Sequence, residues 1–233
     1  MITRWTPARS AIWTTLLTAL AAPLASAAPP AAPPAPAMPP TQAWRFDEDT
    51  LHQPPPGFEF GQTGRGRPGT WRVEDQNGVP SPPNVLVQSE ADAGKGLTRF
   101  ALAGSKKYGD VRARVRCRPL HGGTDKGCGV VVRWQSDSVY LLAHVSARKG
   151  EVALYAQSGE VRRELARKSV AVAAGAWLTL ELEAKGDALQ VMLDGKPVVK
   201  AKDGMLRGSG RIGVATAADA HSLFDDLEVW DVK

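Results

Sequence analysis

The stretch Trp177-Leu-Thr-Leu-Glu-Leu-Glu-Ala184 alternates apolar and polar residues with a period of two, and it decides the fold class. Leu178, Leu180 and Leu182 project to one side and Thr179, Glu181 and Glu183 to the other, which is the pattern of a half-buried strand. Gly186-Asp187 turns the chain into Ala188–Leu193, and Asp194-Gly195 turns it again into Lys196–Lys202. Asp-Gly between apolar runs supplies the positive φ angles that a two-residue hairpin demands. Gly208–Thr216 and Leu223–Val232 read as a fourth and a fifth strand. The stretch therefore predicts five antiparallel strands in a sheet, with few residues that look reactive.

N-terminal to this stretch, Val161–Val170 is a weaker strand and Ala171–Ala176 a short connection. Glu151–Gln157 and Val139–Ser146 continue a meander, and Cys128–Gln135 is apolar on both faces, as a central strand covered on each side would be. Tyr108–Leu120 has the sharpest alternation: Val111, Ala113, Val115 and Cys117 share one face, and Arg112, Arg114, Arg116 and Arg118 the other. Trp44–Asp47, Phe58–Thr63, Trp71–Glu74, Val85–Gln88 and Thr98–Ala103 read as earlier strands, and Asp75–Asn84 as a turn-rich connection. The basic loop Gly64–Gly69 lacks the Lys-Ser/Thr of a phosphate-binding loop and opens no helix, so it reads as solvated. No segment shows helical periodicity beyond about two turns. At least ten short strands with Gly, Asp and Pro turns predict an all-β fold, a two-sheet antiparallel β-sandwich.

The N-terminus differs in composition. Arg4 and Arg9 precede the apolar run Ala11–Leu24, and Ala25-Ser26-Ala27 is a small-x-small site, so residues 1–27 read as a secretory signal peptide, with an uncleaved anchor as the alternative. Ala28–Thr41 is nearly all Ala and Pro, and 28–43 is assigned as an extended spacer before a single domain at 44–233. A domain of that size buries about 70% of its unfolded surface and needs no cofactor to fold. The formal charge of +5 becomes +3 without Arg4 and Arg9, which predicts no nucleic-acid footprint. No stable membrane insertion is expected after signal cleavage, and the location implied is periplasmic or extracellular. In that oxidising setting Cys117 and Cys128 are expected to form a disulfide stapling a hairpin, with two reduced buried thiols as the alternative and no metal site.

Several groups of residues then resemble a known family: Phe46-Asp47, Trp71-Arg72-Val73, Cys128–Arg133 with Tyr140 six positions after Trp134, Val191–Lys196, Gly210–Val214 and Phe224–Val229. In this order they resemble the concanavalin A-like lectin/glucanase superfamily, and more narrowly exported bacterial proteins of the 3-keto-disaccharide hydrolase family, described as family-16-like or laminin-G-like. The resemblance implies a jelly roll whose concave face holds a glycan. It does not itself carry an activity. The Glu-x-Asp-x-x-Glu pattern of family 16 glycoside hydrolases is absent, and retaining hydrolysis needs two carboxyls only about 5 Å apart. Glu181 and Glu183 share a strand face but read as a solvated outer face.

Two constellations merit attention. The arginine row, including Arg114 and Arg116, sets like charges about 6–7 Å apart. It reads either as a solvated face paired with Glu181 and Glu183 or as a site for carboxylate- or sulfate-bearing glycans. The second is Arg133, Tyr140 and His144, which would line one groove if their strand faces coincide on the concave sheet. His144 is the candidate general base. Trp134, by alternation, falls on the opposite face with Val130 and Val132 and is expected in the core. Asp225-Asp226 is a weak candidate for Ca²⁺; otherwise no cofactor is expected. No Ser-His-Asp arrangement, nucleophile elbow or zinc motif is present. The leading expectation is a carbohydrate-binding module, with a hydrolase or lyase acting on 3-keto-glycosides and a non-catalytic envelope module as alternatives.

Overall fold

The computed structural model describes residues 1–2 and 38–232, so the expected signal peptide and most of the spacer lie outside the described residues. The described domain is built of strands, and no helix among the described residues is long and apolar enough to cross a membrane. In chain order the strands are β1 Gln42–Trp44, β2 Phe58–Thr63, β3 Trp71–Asp75, β4 Asn84–Gln88, β5 Thr98–Tyr108, β6 Val111–His121, β7 Gly127–Ser136 and β8 Val139–Ser146. There follow β9 Glu151–Ser158, β10 Val161–Ser169, β11 Leu178–Lys185, β12 Ala188–Leu193, β13 Lys196–Lys202, β14 Gly210–Ala217 and β15 His221–Asp231.

They form a two-layer antiparallel jelly roll. One sheet has the order β13-β12-β11-β6-β15-β4-β3, with β1 also pairing β15. The other has the order β10-β9-β8-β7-β14-β5-β2. The opening stretch behaves as its alternation requires: Leu180 and Leu182 are fully buried between the sheets, and Asp194 and Gly195 both take positive φ in the β12–β13 turn. Its five strands do not share one sheet, however. After β13 the chain crosses to the second sheet as β14 and returns as β15 beside β6. Alternation specifies which face is buried, not which layer a strand joins, so this crossing has no local signal.

Three further corrections follow from the geometry. The first strand ends at Trp44, because Phe46 adopts φ 68° and breaks the extended run. Tyr108 closes β5, and Gly109-Asp110 makes the turn into β6. Cys117 and Cys128 do form a disulfide, with Cα atoms 6.4 Å apart, but β6 and β7 lie in different sheets. The bridge therefore pins the two layers through the core instead of stapling a hairpin.

The second sheet is strongly curled. Neighbouring strands lie about 4.8 Å apart, so β8 and β2, four steps apart, would be about 19 Å apart on a flat sheet. Yet the Tyr140 and Thr63 hydroxyls share a hydrogen bond of 2.9 Å. Arg162 on β10 likewise donates to Thr98 Oγ1 on β5 at 2.9 Å, across five steps. The outer face of this sheet is thus concave, and its rims meet over a buried floor of Phe100, Leu102, Val131, Leu142 and Ala215.

Candidate functional site

Alternation along β7 breaks at Arg133, which adopts φ 52°. The pairing of β7 with β8 shifts register between Val132 and Ser136, the signature of a bulge, and a one-residue slip flips every later side chain. Arg133 consequently turns inward between the sheets. It is 1% exposed, and its guanidinium donates to the carbonyls of Gly109 (2.8 Å), Gly186 (2.9 Å) and Leu206 (2.9 Å) and to Asp110 Oδ1 (3.2 Å). This corrects its expected place in a glycan groove: it ties three turns together at one end of the sandwich. Trp134 makes the reverse exchange. It packs on the concave side against the Phe100 cluster, with the Arg211 guanidinium 5.7 Å from its ring.

Tyr140 lies on the concave face as expected but is fully buried. Its ring meets Phe100 edge-on at 4.8 Å, and burial raises its hydroxyl pKa above the ordinary value. It closes the curl instead of presenting its hydroxyl to solvent. Arg114 and Arg116 are on the outer face of the other sheet, so they cannot join His144 in one groove. There Arg114 binds Glu228 at 2.9 and 2.5 Å, and Arg116 approaches Asp226 at 3.5 Å. Arg112 stacks on Trp230, and Glu183 and Glu181 pair across from Arg112 and Arg114. Glu181 is buried rather than solvated, and burial raises its pKa against the pull of Arg112 and Arg114. Within the row, Arg114 and Arg116 are thus paired with acids of β15, and Arg118 donates to the Gly175 carbonyl. Asp225 accepts hydrogen bonds from the backbone N–H of Ser81 and of Asp226, and Asp226 faces Arg45 and Arg116. Among the described residues no cluster of His, Cys, Asp and Glu is arranged to hold a metal ion.

His144 is where the concave face becomes chemically interesting. It lines a cavity of about 340 Å³ together with Thr124, Asp125, Lys149, Tyr155 and Arg162. His144 Nε2 stands 3.7 Å from Asp125 Oδ1; both atoms are buried, and neither has a hydrogen-bond partner. Buried polar atoms are nearly always paired in native proteins, so this orphaned acceptor and ring nitrogen, in two side chains that line the cavity, single the pair out as a candidate site. Burial holds the His144 imidazole below its ordinary pKa, with Lys149 and Arg162 adding to the effect and Asp125 and Glu151 opposing it. It is a neutral imidazole at neutral pH. Lys149 Nζ lies 3.6 Å from Asp125 Oδ2.

The loop carrying Asp125 is held by Asp219. Its carboxylate accepts from the backbone N–H groups of Gly123 (2.7 Å), Thr124 (2.9 Å) and Asp125 (2.9 Å). Burial would raise the Asp219 pKa, but these donors outweigh it and hold the carboxyl below its ordinary value. Gly127 makes room for the pair, because a Cβ there would stand 2.7 Å from both Asp125 Oδ1 and His144 Cε1. A second hollow of about 540 Å³, lined by Gln62, Thr63, Arg65, Asp137, Gln157 and Glu160, shares Gly96 and Arg162 with the first. The two make one cleft with Arg162 at its waist. A hollow of about 550 Å³ at the edge of the other sheet, along β12 and β13, contains none of the orphaned buried groups among the described residues.

Sequence reading named His144 but none of the residues around it in the cavity. Asp125 and Lys149 sit in turns with no motif. Arg162 and Tyr155 had a weak signal: the Gly159 turn, once drawn as a hairpin, sets Arg162 opposite Gln157 and diagonal to Tyr155.

Comparison with known proteins agrees with this architecture. Residues 46–230 match the family described as 3-keto-alpha-glucoside-1,2-lyase-like domain. The carbohydrate binding module CBM66 from Bacillus subtilis superposes with a TM-score of 0.60 at 19% identity, covering 75% of this chain and 95% of that one. The GH43 protein BlXynB from Bacillus licheniformis gives 0.53 at 16% identity, over 82% of this chain and 39% of that one. The exoplasmic/lumenal domain of VIP36, in a Ca²⁺/mannose-bound form, gives 0.53 at 12%, over 76% and 84%. At these identities the likeness is one of fold, that of the concanavalin A-like jelly rolls. No curated protein matches the sequence.

Proposed function

The chain belongs to the 3-keto-alpha-glucoside-1,2-lyase-like family, and from that premise we propose that it binds a saccharide in the concave cleft, centred on His144 and Asp125. The observation that carries this is the pair of orphaned buried atoms, His144 Nε2 and Asp125 Oδ1, in side chains that line a cavity together with Lys149 and Arg162. A sugar hydroxyl both donates and accepts, so one hydroxyl between the two atoms satisfies both. Titration calorimetry with a panel of mono- and disaccharides tests the reading. Binding should weaken at least tenfold in Asp125→Asn, and a panel with no binder counts against it. The chain is further proposed to act outside the cytoplasm. The buried disulfide supports this, and N-terminal sequencing of the secreted protein should begin at Ala28.

His144 favours a second reading, catalysis of elimination. In a 3-keto-glycoside the C2 proton is acidified by the adjacent ketone. A neutral imidazole takes that proton, the electron pair forms the C1=C2 bond, and the substituent at C1 leaves with its bonding pair and then takes up a proton. Lys149 or Arg162 would stabilise negative charge accumulating on the ketone oxygen. Incubation with a p-nitrophenyl 3-keto-glucoside distinguishes the readings. Release of p-nitrophenol together with a C1=C2 unsaturated 3-keto sugar, both abolished by His144→Ala, establishes the lyase, release with a saturated 3-keto sugar indicates hydrolysis, and binding without release leaves a binding module.

A further inference from the structure

Arg162 differs from the arginines around it. Its neighbours on β10 are tied to acids: Arg163 binds Asp203 at 2.8 Å, and Arg167 binds Glu151 and Glu164. Arg162 lies over the Tyr155 ring at 4.2 Å and donates to the Thr98 hydroxyl, and it forms no ion pair with a described residue. A guanidinium has five N–H donors in one plane, so most of that edge is unspent at the waist of the cleft. The first hollow carries Lys95, Lys149 and Arg162 against Asp125, with Lys149 facing both Asp125 and Glu151, and the second sets Arg65 against Asp137 and Glu160, so Arg162 is the cation of the cleft that no carboxylate of these pairs meets. His144 adds no charge. On the far sheet Arg114 and Arg116 differ from Arg162 in being bound by Glu228 and Asp226.

We propose that the saccharide taken in this cleft is anionic, a uronate whose carboxylate meets the guanidinium edge of Arg162 while a ring hydroxyl meets His144 and Asp125. The inference rests on the reading of the cleft as a saccharide site. A planar carboxylate matches the guanidinium fork with two parallel hydrogen bonds, which a tetrahedral sulfate matches less well.

The test is calorimetric titration of the full chain with methyl β-D-glucuronoside and methyl β-D-glucoside. The glucuronoside should bind at least tenfold more tightly in about 50 mM salt, with the advantage shrinking in about 500 mM salt. Arg162→Gln should bring the ratio of the two affinities near one. Arg162→Lys, which keeps the charge and loses the fork, should give an intermediate ratio. Equal affinity for both glycosides in the unaltered protein overturns the uronate assignment and leaves the saccharide reading standing. Tighter binding of glucose 6-sulfate than of the glucuronoside overturns the carboxylate assignment. Binding of none of these, nor of any neutral disaccharide, overturns the saccharide reading itself.

Discussion

Replacing Arg133 with methionine separates an architectural arginine from a ligand-binding one. Methionine fills much of the same volume and removes four hydrogen bonds, to Gly109, Gly186, Leu206 and Asp110. The losses are unequal. Gly186 is exposed and Gly109 and Asp110 are half-buried, so their oxygens regain water, whereas the Leu206 carbonyl is buried and is left bare. An unsatisfied buried acceptor costs about 1–3 kcal/mol, and each hydrogen bond lost to a charged donor costs somewhat less where water returns. Relief of the buried guanidinium's own desolvation offsets part of the sum. The net expectation is a loss of about 3 kcal/mol, and about half that for Arg133→Lys, whose ammonium has only three donors. With a urea m-value near 2 kcal/mol/M for a domain of this size, Arg133→Met should lower the midpoint by about 1.5 M. Equilibrium urea unfolding followed by tryptophan fluorescence reads it. A midpoint within about 0.3 M of the unaltered protein, with saccharide binding lost, would refute the inward placement and return Arg133 to the groove.

Other outcomes follow from the same geometry. Because burial holds His144 below its ordinary pKa of 6.5, the unfolded chain takes up a proton that the native one refuses. Stability should therefore fall as pH drops below about 6.5, and the difference in urea midpoint between the unaltered protein and His144→Asn should change across that window. Asp225 works in the opposite direction: burial, with Asp226 and Asp47 adding to it, raises its carboxyl to about 7 against the Ser81 and Asp226 backbone donors. Its contribution is present in acid and lost as pH rises through about 7, so Asp225→Asn should lose least relative to the unaltered protein in alkali. Removing both cysteines opens a loop spanning 11 positions and should cost about 3 kcal/mol in thermal or urea unfolding while leaving saccharide affinity unchanged. Arg114→Ala with Arg116→Ala, on the far sheet, should shift calorimetric saccharide affinity by less than about twofold and stability by about 1 kcal/mol or less per pair.

Much of the scaffold was legible because period-two alternation is a direct consequence of strand geometry. Leu178–Glu183 and Val111–Arg118 each placed their core faces correctly, though Glu181 on the other face is buried, and Asp194-Gly195 marked a turn whose backbone angles admit few other residues. The allocation of strands to sheets was not legible. β14 and β15 alternate or run apolar in the same way whichever layer they enter, and only packing decides. The bulge at Arg133 was equally silent, since an arginine at positive φ leaves no compositional mark and every face assignment beyond it inverts. The disulfide partners were legible by number, but their role in pinning two sheets depended on that hidden allocation. At the site, His144 announced itself as a titratable group on an otherwise apolar strand. Asp125 did not, because what matters about it is the Asp219 carboxylate 94 positions away that fixes its loop.

The most direct test of the central claim is a crystal structure of the full chain with the tightest-binding saccharide of the calorimetric panel. Density is expected in the concave cleft, with a hydroxyl within hydrogen-bond reach of both His144 Nε2 and Asp125 Oδ1 and the charged group against Arg162. Saccharide seated instead on the outer face of the other sheet, along Arg112–Arg118, with the cleft empty, would contradict it.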